Sequence, residues 1–259
     1  MKPVRVYMGW DARDALAYDV CRSSLLRHAS VPVEIIPLKD WELRRRGVYW
    51  RSYRTDAVGQ RWDDRDGKPF SSDFSFGRFV VPMLEEYGDE WVLFMDPDML
   101  VREDIAKLFE LSAPSLDAVM CVQHKHEPPE REKMAGLNKQ TLYRRKNWSS
   151  LMLMKPSRCG ELTKYAVNNH TGQWLHAMNW TSDSEIGSLP EEWNWLEGWS
   201  SPDIDPKIAH FTRGTPDFEG TEDVPYADEW RSYVRWQHNQ ELFIPKSSLV
   251  ELPLVAVGA

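Results

Sequence analysis

The run E-W-V-L-F-M-D-P-D-M-L-V-R-E-D, residues 90–104, carries five apolar residues in a row, Trp91 to Met95, and then stops on two acids either side of a proline. A short, continuous apolar run bounded by polar residues reads as a strand buried on both faces. Strands of that kind belong to parallel sheets covered by helices, and ligands of open α/β sheets bind beyond the carboxyl ends of the strands. Asp96 and Asp98 stand at such an end. Pro97 fixes its own φ and pushes Asp96 toward extended backbone, where alternate spacing sends the two carboxylates in related directions. Two acids held close at the edge of a core repel each other unless a cation neutralises them. Hard divalent ions such as Mg²⁺ or Mn²⁺ favour carboxylates together with phosphate oxygens. By itself the tripeptide is equally a solvated turn opening the helix at Ile105.

Outward from this strand, apolar runs alternate with helical spacing. Residues 4–8, 33–38, 117–123 and 150–155 read as further strands, and 185–189 and 207–211 as late ones. The positions Leu16, Val20, Leu25 and Leu26 fit a helical face over 13–28. Residues 74–87 read as a helix kinked at Pro82, and 104–109 as a short helix capped by Asp104. Residues 157–170, 172–179 and 225–238 complete the helices. The alternation predicts an α/β fold with a mostly parallel central sheet flanked by helices. Two charged stretches, 39–73 and 124–147, read as long polar excursions over the active-site edge, a place where loops of that length are functional.

Composition narrows the class. A chain of 259 residues with 42% hydrophobic residues can bury a sizeable core. A net charge of −8 opposes non-specific nucleic-acid binding, which needs a basic face. Cys21, Cys121 and Cys159 have no metal-ligand spacing, and their odd number argues against a disulfide framework, as in a reducing cytosol. The N-terminal residues are too polar for a signal peptide, and no apolar run approaches the ~18 residues of a membrane span. A cytoplasmic protein without an integral membrane segment is the expectation.

Several pieces resemble the GT-A glycosyltransferases, family 8-like members in particular. The segment 92–109 has that family's apolar strand, D-x-D, apolar pair and short D-I-x-x-L-F helix. Residues 6–38 resemble its opening strand, nucleotide-contacting turn and first helix. Residues 74–84 resemble the helix facing the donor, 147–155 a segment with acceptor-side contacts, 188–196 an L-P-x-x-W-N element, and 207–216 the late H-F-T strand.

The resemblance implies one GT-A domain over 1–259, with a nucleotide-sugar half roughly 1–123 and an acceptor and metal-completing half roughly 124–259. It implies that Asp96, Asp98 and His210 hold Mn²⁺ or Mg²⁺, which would bridge the phosphates of a nucleotide-sugar, UDP-linked by preference. Gly9, Trp10 and Asp11 would form the base-binding turn. Arg78 would reach the donor, and Arg213 and Gly214 would clamp the diphosphate. The acceptor would be a glycan or another hydroxyl compound, and the anomeric configuration would be retained.

Two departures stand out. The family's His-x-x-Gly followed by Lys-Pro-Trp is replaced by Arg213, Gly214 and T-P-D-F. No acid occupies 174–179, where relatives carry D-Q-D, which leaves His176 and Asp183 as the catalytic candidates. Rival readings are a nucleotidyltransferase, whose Gly-rich basic loop G-W-D-A-R-D-A does not supply, and a non-catalytic nucleotide-sugar or glycan binder. A dehalogenase-like phosphatase would carry its D-x-D nearer the start of the domain.

Overall fold

The structure is a computed structural model and describes residues 2–112, 115–125 and 145–243. Most of the second polar excursion, and the apolar run 249–259, lie outside the described residues. The first half contains β1 Val4–Gly9, α1 Ala15–His28, β2 Val33–Leu38, α2 Asp40–Arg45, β3 Tyr53–Thr55, β4 Arg61–Asp63 and β5 Pro69–Phe70. Then come α3 Val81–Leu84, β6 Val92–Met95, β7 Met99–Val101, α4 Ile105–Glu110, β8 Val119–Val122 and β9 Leu151–Met154. The chain continues with α5 Lys164–Asn169, α6 Gly172–His176, β10 Ile186–Leu189, β11 Trp195–Leu196, β12 Ile208–His210 and α7 Ala227–Phe243.

Six strands form the central sheet in the order β10-β8-β9-β6-β1-β2. Five run in one direction and β9 runs against them. The period of two along each strand sorts the side chains onto two cores. Tyr7, Val92, Phe94, Met152 and Met154 face one core; Val6, Met8, Leu93, Met95, Leu151 and Leu153 face the other, against Tyr18, Cys21 and Leu25 of α1 and Ile105 and Leu108 of α4. Every residue of β6 is fully buried, as a strand covered on both faces requires. Emptying one such site, as in Phe94→Ala, costs about 3–5 kcal/mol.

The chain leaves this sheet at Asp96-Pro97-Asp98 and enters a second one. That sheet has the order β11-β12-β7 and packs Leu100, Trp195, Ala209 and Phe211 against Trp230 and Tyr233 of α7. β7 and β11 are too short to be read from sequence.

Three expectations are corrected. Residues 74–87 do not make one kinked helix: a 3-10 turn, Gly77–Val80, leads into α3, and Pro82 sits in its first turn, where a missing N–H costs nothing. The helix read over 157–170 shrinks to α5, because Thr163 caps a new start through Ala166 N at 3.1 Å. The stretch 39–73 is no bare loop but α2 followed by the antiparallel meander β3-β4-β5. Arg51, itself buried, anchors that meander by pairing with Asp63 at 2.6 Å and donating to Val167 O and His170 O. The expected cap of α4 is present, with Asp104 accepting from Ala106 N at 3.0 Å.

Candidate metal centre

The sheet change at Asp96-Pro97-Asp98 decides where the site forms. Asp96 N donates to Ser150 O at 2.8 Å, which holds the end of β6 against the start of β9. One residue into the second sheet, β7 pairs antiparallel with β12, placing His210 opposite Met99. Phe211 N donates to Asp98 O at 2.9 Å and closes the corner. Asp96, Asp98 and His210 thereby converge, with one ligating atom from each lying within 4.8 Å of the others.

The polar contacts of this trio are incomplete in a particular way. Asp96 Oδ1 and Asp98 Oδ1 are buried and lack a hydrogen bond. Arg78 Nη1 lies 2.9 Å from Asp96 Oδ1, an ion pair whose angle is poor for a hydrogen bond. On the other side, Asn194 Nδ2 donates to Ser150 Oγ at 3.0 Å, so its Oδ1 faces the histidine ring and accepts from His210 Nδ1 at 2.9 Å. That leaves the lone pair of Nε2 aimed at Asp98 Oδ1, 3.3 Å away. Two acceptors face each other, an arrangement that needs a proton or a metal cation between them. Burial pushes Asp96 above the ordinary carboxylate range, with Asp98 adding repulsion and Arg78 opposing. Burial alone would lower His210, but the fields of Asp98 and Asp96 prevail and raise it. Two carboxylates and a neutral imidazole fit a hard or borderline divalent ion such as Mg²⁺ or Mn²⁺.

The trio floors a cleft of about 580 Å³, within the range of small-ligand sites. Its walls carry Arg13 and Asp14 from the turn after β1, Lys68 to Ser72 from the meander, and Lys146, Asn147, Ser149 and Ser150 with Gln173 and His176 from the far side. Arg78 also lines it. Its guanidinium sits 4.9 Å from the Phe94 ring and donates to Ser149 O and Ser75 O, so it is fixed beside Asp96 rather than free to swing toward a ligand. His176 packs on Phe76 and Phe79 and shares a 2.8 Å hydrogen bond with Ser149 Oγ; burial, with Arg78 and Arg51 nearby, holds it well below its ordinary value and therefore neutral.

Other expected residues lie elsewhere. Gly9, Trp10 and Asp11 end β1 but do not line the cleft. A Cβ on Gly9 would lie 2.6 Å from the Phe74 ring, so internal packing accounts for that glycine. Trp10 is half-buried in the core beneath Lys39, 5.3 Å from its ring. Asp11 is 1% exposed and accepts from Arg13 N, Arg13 Nε, Arg13 Nη2 and Asp73 N. Arg213 is paired with buried Glu197, and neither it nor Gly214 lines the cleft. Asp183 is exposed, pairs with Arg145 at 2.5 Å and is absent from the walls. Of the two catalytic candidates, His176 alone faces the cleft.

Two contributors went unread in the sequence. Asn194, which orients His210, could have been found as a buried polar residue between two tryptophans, a place that demands a partner. Asp14 lines the cleft with no side-chain hydrogen bond or ion pair among the described residues, and burial plus Asp11 and Asp98 push it up to about 6.

No protein-family model matches the chain. Solved structures share its fold at low identity. WbbM, a bifunctional glycosyltransferase, superposes with a TM-score of 0.58 at 16% identity, over 93% of this chain and 51% of its own. Apo GlyE, a glycosyltransferase of Streptococcus pneumoniae TIGR4, gives 0.56 at 16%, over 95% of this chain and 64% of its own. This chain thus spans about half of WbbM and under two thirds of GlyE. LgtC, a galactosyltransferase solved with donor and acceptor sugar analogues, gives 0.54 at 10%, over 96% and 98%. In sequence the chain is 40% identical over 250 residues to Arabidopsis thaliana Protein CDI, covering 93% of this chain and 89% of that relative. The fold is that of the GT-A glycosyltransferases, and the chain belongs to the family of Arabidopsis thaliana Protein CDI.

Proposed function

We propose that this protein is a metal-dependent glycosyltransferase that moves a sugar from a nucleotide diphosphate donor, UDP-linked, to an acceptor hydroxyl, with retention and within one domain spanning the chain. One observation carries the reading: buried carboxylate oxygens of Asp96 and Asp98, without hydrogen bonds, converge with the His210 lone pair on the floor of a ligand-sized cleft. Asp96, Asp98 and His210 would hold Mn²⁺ or Mg²⁺, which when bound supplies positive charge to the donor phosphates and the departing diphosphate. Asn194 holds His210 in the ligating tautomer. Arg78 balances part of the charge of Asp96 and keeps it beside its partner. Lys68 and Lys146 put further positive charge on the walls, suited to a diphosphate.

Retention follows from the family 8 resemblance, and the acids available bear only on its route. Besides the centre, the described cleft residues include Asp14 and Asp66. Asp66 is engaged by Gly172 N and Lys68 N. Among the described residues no unengaged pair is left for a covalent double displacement. Attack on the donor's own face, with a phosphate oxygen of the leaving group taking the acceptor proton, needs none. His176, neutral and hydrogen-bonded to Ser149, would help shape the pocket for the transferred sugar. Buried thiols at Cys21, Cys121 and Cys159 suit action in a reducing cytoplasm.

Melting temperature with UDP, GDP, TDP and CMP, each with and without Mn²⁺, tests this first. Ligand at a hundred times its Kd adds about 2.7 kcal/mol. A shift with UDP that requires Mn²⁺, followed by turnover of a UDP-sugar, is the expected result. No shift with any nucleotide overturns the proposal, and an inverted product in the NMR spectrum overturns retention.

A further inference from the structure

Beside the meander lies a surface that the metal centre does not use. Trp41 on α2 is 52% exposed, Trp50 44%, and Tyr165 on α5 70%. Cations sit over these rings: Arg45 lies 5.6 Å from the Trp41 ring and Lys164 5.3 Å from Trp50. The two segments are joined, since Asn168 of α5 accepts from Trp50 N at 2.6 Å and donates to Val48 O. Arg45, Arg46 and Lys164 are exposed and form no ion pair among the described residues, whereas neighbouring Arg44 and Lys39 pair with Asp40 and Glu42. In a chain of net charge −8, this is a local positive surface set among protruding aromatic rings.

We infer that this face, Trp41, Arg45, Arg46, Trp50, Lys164 and Tyr165, docks on an anionic lipid bilayer. Tryptophan and tyrosine favour the headgroup level because one end of the ring is apolar and the other wet. Lysine and arginine reach past them toward lipid phosphates. A sugar platform would need open ring faces, and here the tryptophan faces carry cations. A soluble polyanion would be held by the charges alone and would leave the exposed indoles without a role. Arg44, next to Arg45 in the chain, lies 5.9 Å from the Tyr53 ring, and rings continue from Tyr53 to Phe70 at 5.5 Å, to Phe76 at 5.3 Å and to His176 at 5.7 Å, the last three on the cleft wall. Docking would thus bring the cleft close to the lipid surface. This inference is independent of the donor reading, because lipid binding is measured without nucleotide.

The test is co-sedimentation of the full chain with vesicles of phosphatidylcholine alone and with 30% phosphatidylserine. The expected result is partitioning at least tenfold stronger onto the serine-lipid vesicles. Each uncompensated cation contributes about fivefold, so the triple variant Arg45→Glu, Arg46→Glu, Lys164→Glu falls to the level of neutral vesicles. Trp41→Ser with Trp50→Ser weakens binding about tenfold. Circular dichroism and melting check the fold, and the milder Arg45→Gln, Arg46→Gln, Lys164→Gln replaces the triple if it does not fold. Equal partitioning onto both vesicles overturns the inference, as does wild-type binding by the charge variant. Unchanged binding by the tryptophan pair, with complete competition by heparin, reassigns the face to a soluble polyanion and overturns it too.

Discussion

Asp11 follows β1, and Asp96 and Asp98 follow β6, its neighbour in the sheet, yet the two places treat their acids in opposite ways. Asp11 is enclosed and accepts four hydrogen bonds from Arg13 and Asp73. Asp96 and Asp98 each keep a buried oxygen with none. Both places bury carboxylate oxygens near strand ends, so burial does not tell a structural carboxylate from a candidate ligand. Satisfaction does. Burial alone would raise Asp11, but Arg13 and backbone N–H groups prevail and lower it. Burial and mutual repulsion raise Asp96.

Asp98→Ala sharpens the contrast most. We expect loss of the Mn²⁺-dependent nucleotide shift and about a 10²–10³-fold loss of donor turnover, with little change in melting without metal. Asp11→Ala should do the reverse. Leaving its donors unpaired costs about 2–3 kcal/mol, or roughly 5–10 °C in Tm for a domain of this size, while the Mn²⁺ dependence survives. If Asp11→Ala instead abolished the nucleotide shift at full stability, the division between the two acids would be broken.

Asn194→Ala should lower Mn²⁺ affinity about 10–100-fold by freeing the His210 tautomer, read by metal titration. Acidity gives a smaller, graded effect. His210 and Asp96 both hold their protons to higher pH than usual, and a metal needs them unprotonated. Falling pH therefore weakens binding, by about tenfold per unit on the acid side of neutrality, measurable as Mn²⁺ titrations at several pH values. An affinity that did not fall with pH would remove His210 from the centre. The smallest effect is expected at Arg213→Lys: a residue already committed to Glu197 should change the donor KM less than about threefold.

The central strand and the acid pair were legible because a run buried on both faces leaves an unbroken apolar signature, and a proline between acids fixes their spacing. The fold class followed from the alternation around them. His210 was legible only through family resemblance, since what brings it to Asp98 is a three-residue antiparallel pairing between distant segments that no local pattern announces. The structure gives Asp11 internal partners, Arg13 and Asp73, where the resemblance implies a base-binding turn. In D-A-R-D the acid caps its own turn, and local backbone competition of this kind claims many acids that follow strands. The meander was hidden by its charges. Arg51 with Asp63 and Arg61 with Asp73 satisfy one another internally, whereas in one dimension they read as a solvated loop.

The pairing of β7 with β12 also sets a clock. Asp98 and His210 are separated by roughly 110 residues, a delay of about 5 to 20 s at ordinary rates of chain elongation. During that interval the two acids of the growing chain have no histidine to complete their set. If the proposed centre takes up its ion, high-affinity capture has to wait for the last third of the polypeptide. On that proposal retained metal would mark finished synthesis, and a chain truncated before β12 would be released without it.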